Sequence, residues 1–160
     1  MIDQKNAQIA AFALRLSLGV MYLAHSIILK YLTFTLAGTA QFFESLGLPA
    51  ALAYLTFAGE ALGGIALVLG FKSRLVSLAL IPVLLGAFWV HSGNGWVFSA
   101  ANGGWEYPAF WACALIVQAL LGDAPPWTHR AIDGGSGLRL PDVDGVARAI
   151  VASAQPPAAP

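Results

Sequence analysis

Charge is scarce in this chain. Acidic and basic residues make up 10% of its 160 positions, against about 25% in soluble domains, and they cancel to a formal net charge of zero. No basic segment with interleaved aromatics is present, so nothing calls for nucleic acid. Cysteine is scarcer still: with Cys113 alone, no intrachain disulfide, CxxC redox pair or thiolate zinc cluster can form. Redox chemistry would therefore need a bound cofactor or another subunit, and Cys113, inside an apolar run, reads as a packed small residue. Also missing are a Ser-His-Asp order, a phosphate-binding glycine loop and a metalloprotease motif. The head MIDQKNAQ lacks a polybasic region, and the apolar run after it is too long for a signal sequence, so it reads as an uncleaved first span.

What remains is grease. Hydrophobic residues are 58% of the chain and mean hydropathy is +0.72, which points to an all-α integral membrane four-helix bundle. The runs predict spans near 9–30, 49–71, 75–91 and 106–122, the last one short, with Pro82 kinking the third. Between the first two, AQFFESLG (residues 40–47) predicts a short interfacial helix in the first outer loop, ended by Gly47. Residues 91–107, with four glycines, two asparagines and two tryptophans, predict an ordered interfacial loop. From 123 to 160 the composition turns to Pro, Gly and Ala, which predicts a partly disordered tail with a short helix near 142–152.

Basic residues set the expected orientation. With four spans, Lys5, Lys72, Arg74, Arg130, Arg139 and Arg148 fall on one side and only Lys30 on the other. That is a positive-inside pattern for a bacterial inner membrane with both termini cytoplasmic.

The few ionisable groups within the spans carry the functional argument. Glu60 lies near the middle of the second span, where an acidic residue costs about 2.5–3.5 kcal/mol and needs a partner or a task. Gly59 and Gly63 flank it at G-x-x-x-G spacing, and Gly64 widens that notch for helix packing or for association of identical chains. In the first span Arg15, Gly19, Tyr22, Ser26 and Lys30 fall in one stripe, with His25 on its shoulder. Helical rise puts Glu60 about 16 Å below Pro49 and Arg15 about 22 Å below Lys30, which predicts a buried Arg15–Glu60 pair. The same count puts His25 about 8 Å below Lys30 and level with His91. Those two histidines, with Lys30, Glu106 and Tyr107, predict a polar pocket open to the outer face. Imidazoles there can relay protons or bind a quinone carbonyl; without a firm third ligand they make no metal site. Trp89, Trp96, Trp105 and Trp111 with Tyr107 predict an interfacial aromatic belt.

Several blocks in order resemble the DoxX-like family of small four-helix membrane proteins: Arg15, LGVMYLAH (18–25), Lys30, FFESLGLP (42–49), GEALGGIALVLGFKSR (59–74), His91 and NGGWEYP (102–108). The resemblance covers roughly residues 9–122. Where the family pattern has Gly after the His and Lys four residues beyond it, this chain has Ser26, and Lys30 is five residues on. DoxX-like proteins resemble the membrane subunit of archaeal thiosulfate:quinone oxidoreductase, and others are associated with membrane complexes that handle thiol or oxidative stress. The resemblance therefore implies a quinone-linked redox subunit with quinone as its cofactor, a soluble or membrane redox subunit as partner, and His25, Glu60 and His91 around the headgroup with Arg15 as counter-ion. Two other readings stay open: a non-catalytic scaffold whose tail docks a soluble partner, and a small transporter that works as a homo-oligomer.

Overall fold

The computed structural model describes residues 4–123; the expected tail with its helix near 142–152, Arg130, Arg139 and Arg148 lies outside the described residues. The described part is helical without strands. Helix α1 (Gln4–Leu23) continues as a π-helical segment (Ala24–Thr33), followed by α2 (Leu36–Ser45), α3 (Ala50–Leu69), α4 (Ser73–His91) and α5 (Glu106–Leu121). By length and composition α1 with its π continuation, α3 and α4 can each cross a membrane, and α5, with 16 residues, is shorter. The bundle is inside-out relative to a soluble protein. Leu120 and Phe110 are 76% and 73% exposed while Arg15 and Glu60 are 2% and 5% exposed, the distribution lipid requires. Cys113 also faces outward, contrary to its expected packing, because the inward stripe of α5 runs through Trp111, Leu115, Gln118 and Ala119.

The vertical register of the bundle is set by glycine. Gly19 of α1 lies so close to α3 that a Cβ there would sit 2.9 Å from both Gly64 O and Val68 N, and one at Gly64 would sit 3.0 Å from Gly19 O. Gly63 packs against Leu80 of α4, whereas nothing lies within 4 Å of a Cβ at Gly59. The helix contacts thus use Gly19, Gly63 and Gly64, and Gly59 plays no part in them. Around the crossing, Leu18, Tyr22, Leu67, Leu80, Leu84, Trp111 and Leu115 form the core.

At one end, here the turn end, α3 stops at Gly70, whose left-handed φ of 77° allows Phe71 N to donate back to Ala66 O at 2.9 Å. Lys72 then leads into α4. At the opposite, loop end, the α ladder of the first helix gives way. Buried Ser26 turns its hydroxyl onto Tyr22 O (2.8 Å) and Leu23 O (3.3 Å), carbonyls the backbone would otherwise use. Beyond it the bonding runs five residues back: Thr33 Oγ1 donates to Ile28 O and Phe34 N to Leu29 O, at 2.7 and 2.8 Å. Thr35, at φ 62°, breaks the path and caps α2 by accepting from Gly38 N at 3.1 Å. This cap starts α2 four residues earlier than the apolar pattern predicts.

Candidate functional site

The loop end holds a cavity of about 800 Å³. Its walls are largely apolar, with Phe42 from α2, Leu52 from α3, and Val83 and Trp89 from α4 among them. Polar groups reach it from four elements: His25 and Lys30 from the π segment, Thr56 and Glu60 from α3, His91 from the end of α4, and Tyr107 with Trp111 from α5. Five sequence-predicted residues, His25, Lys30, Glu60, His91 and Tyr107, therefore line one cavity.

The π segment explains how His25 and Lys30 both reach it. Residues five apart diverge on an α-helix but fall on one face where bonding runs i→i+5. From there Lys30 Nζ donates to Glu60 Oε2 at 2.5 Å, a charge-assisted bond between a half-buried lysine and a buried carboxylate.

The expected Arg15–Glu60 pair is thus corrected: Glu60 is bound by Lys30. Because α1 and α3 are antiparallel and Gly19 lies against Gly64, Glu60 comes level with Leu23 and its neighbours, and Arg15 comes level with the end of α3. Counting rise from Lys30 and Pro49 takes the two at equal depth, but the Gly19–Gly64 crossing places Lys30 deeper. Arg15 instead lies at the turn end, against Gly70, where a Cβ would overlap its guanidinium, and over the ring of Phe12 at 5.3 Å. It has no part in the cavity.

His25 sets Nδ1 3.3 Å from Met21 O and its ring edge-on to Trp111, centroids 4.8 Å apart. His91 is held more firmly, with Nδ1 3.0 Å from Asn102 O and 3.2 Å from Gly103 O. Asn102 and Gly103 both have left-handed backbones, φ 68° and 76°, which turn these carbonyls onto the ring. A Cβ at Gly103 would lie 3.4 Å from His91 Nδ1. Asn94 Nδ2 ties the same turn by donating to Asn102 O at 3.1 Å.

Glu106 is not a cavity residue. Its Oε1 accepts from Phe98 N at 2.9 Å, so it clamps the loop and complements the start of α5. Trp111 is corrected as well. It is 3% exposed, packed on Tyr22 at 4.6 Å, and its Nε1 has no hydrogen-bond partner among the described residues. Trp89 and Trp96, at 58% and 55% exposed, suit an interfacial belt; Trp111 does not. Sequence reasoning also passed over Thr56 and the Lys30–Glu60 pairing. The signal for Trp111 was there: Gln118 is the polar residue within an otherwise apolar α5 run, and Trp111 lies two turns before it on the same face.

A bundle with lipid-facing exterior, buried charges and a recessed amphiphilic cavity is a multi-pass membrane protein. Residues 10–93 match the DoxX family, and the chain belongs to that family. A Bacillus subtilis (strain 168) protein named "Putative oxidoreductase CatD" is 34% identical over 83 residues, 52% of this chain and 60% of that protein. The match thus spans less than two thirds of that relative. No solved structure matches. The family match ends before the NGGWEYP block and α5, so Tyr107 and Trp111 lie outside it.

Proposed function

We propose that this chain is the quinone-handling membrane subunit of a redox system, exchanging electrons between a lipid-soluble quinone and a partner subunit in a bacterial inner membrane. The observation that supports this is the cavity, where histidines and an ion pair from three elements meet apolar and aromatic walls within a lipid-facing bundle. A quinone asks for that combination: a flat ring to lie against aromatic side chains, two oxygens to hydrogen-bond, and an apolar tail to stay among apolar walls. In this reading His25 and His91 contact the headgroup oxygens, the Lys30–Glu60 pair supplies charge beside them, and Trp111 and Tyr107 flank the ring. The oxidoreductase name carried by the Bacillus subtilis relative supports the class of chemistry. A lone, outward-facing Cys113 gives the chain no thiol pair of its own, so electrons reach or leave the quinone through a soluble or membrane partner, with thiosulfate or thiols as the donor the family resemblance suggests. Lys72 and Arg74 at the turn end favour that end, and both termini, on the cytoplasmic side.

The test is direct titration of the detergent-purified chain with a short-chain benzoquinone. Saturable binding, weakened at least about tenfold in His25→Ala and in His91→Ala variants that keep their helical circular dichroism, supports the reading. Indifference of the wild-type protein to the quinone rejects it.

A further inference from the structure

We infer that the cavity selects the reduced, two-hydroxyl form of its ligand, with His25 and His91 accepting hydrogen bonds from ligand O–H groups at their Nε2 atoms. The inference rests on the quinone reading above and adds the oxidation state that the site prefers.

It follows from which ring nitrogen of each histidine is occupied. A carbonyl oxygen only accepts, so an imidazole nitrogen held against one must carry the hydrogen. His91 Nδ1 faces two carbonyls, Asn102 O at 3.0 Å and Gly103 O at 3.2 Å, and His25 Nδ1 faces Met21 O at 3.3 Å. A neutral imidazole has a single N–H, and the bond one nitrogen makes fixes the tautomer. Both rings are therefore left with a lone pair at Nε2. Neither Nε2 has a protein partner among the described residues, and both rings line the cavity. Asn94 Nδ2, the donor near His91 Nδ1, is 3.5 Å away and already serves Asn102 O at 3.1 Å, so it does not reverse the assignment.

Of the other polar groups at the cavity, Glu60 spends one oxygen on Lys30 and keeps the other as an acceptor, while Lys30 keeps two further N–H groups and Trp111 Nε1 its hydrogen as donors. The preference therefore rests on the two histidines. A dione offers only acceptors and would set lone pair against lone pair at both Nε2 atoms. A hydroquinone offers two O–H donors, and buried polar groups left unpaired are what make such a site discriminate.

The experiment compares a decyl-substituted benzoquinone with its own hydroquinone, bound anaerobically to the detergent-purified full chain at about pH 8, where free imidazole is neutral. The hydroquinone is expected to bind roughly tenfold tighter. His25→Gln and His91→Gln, whose amides can donate or accept, are expected to bind both forms and to shrink that ratio toward one. Equal affinities, or a tighter dione, overturn the inference while leaving the quinone reading in place. Binding of neither form overturns both, and an undiminished ratio in both glutamine variants overturns the assignment to the histidines. Should the variants misfold, the wild-type ratio alone decides.

Discussion

The two ends of the bundle bury polar residues in different ways. At the turn end Arg15, Ser73, Ser77 and Gln118 are 0–2% exposed, and none of them borders the cavity. At the same end Arg74 ties the start of α4 to the end of α5: Arg74 Nε donates to Ala119 O at 3.0 Å and Arg74 N to Asp123 Oδ1 at 2.9 Å. At the loop end His25, Lys30, Glu60 and His91 border open volume. An apolar layer containing Leu18, Leu67, Leu80 and Leu115 belongs to the core between the two. Burial of a polar group in lipid is therefore no mark of a site by itself, since both ends show it. Room beside the group is what separates them.

Substitutions can break or sharpen that contrast. The largest effect is expected from Lys30→Ala, which leaves the Glu60 carboxylate buried without its cation and should cost about 3 kcal/mol or more. Thermal unfolding in detergent would show it, and adding Glu60→Gln should restore most of the loss; a single variant as stable as the wild type would mean the pair is already solvated. Next comes Gly19→Ala, whose new methyl would press on the backbone of Gly64 and Val68 and should cost about 1–3 kcal/mol. Gly59→Ala meets open space and should instead be neutral or gain up to about 1 kcal/mol from helix propensity. If both behave alike, Gly19 does not lie at the crossing. Glu106→Ala removes the loop clamp and a favourable helix-end charge, a loss of about 1 kcal/mol, seen as faster proteolysis of the loop. Smallest is Ser77→Ala at the turn end. Its hydroxyl has no partner among the described residues, so removal should change stability by less than about 1 kcal/mol and leave quinone affinity untouched. A change in affinity would show that the two ends communicate.

Much of the architecture is legible in the sequence because lipid imposes a simple code: long apolar runs span, and charges turn inward. The phase of the first helix puts Lys30 and Tyr22 on one side, and the positions of His25 and His91 near the same end follow from rise alone. What helical periodicity cannot supply is register between helices. That depends on Gly19 meeting Gly64, a contact between residues far apart in the chain, and misjudging it assigned Glu60 to Arg15. Nor can it supply a change of helical type. The π segment arises where a single hydroxyl, that of Ser26, competes for backbone carbonyls. Trp111 escapes the pattern for a different reason: an aromatic near a helix end suits an interface and a core equally, and only Gln118 marks which face of α5 is interior.

The five-residue step from His25 to Lys30 also says something about how this sequence can drift. Ile27 and Ile28 lie between them and are 41% and 56% exposed. Removing either would restore a four-residue step, which ordinary coiling already places on one face. A single-codon deletion there should therefore leave the lysine still able to reach its acid.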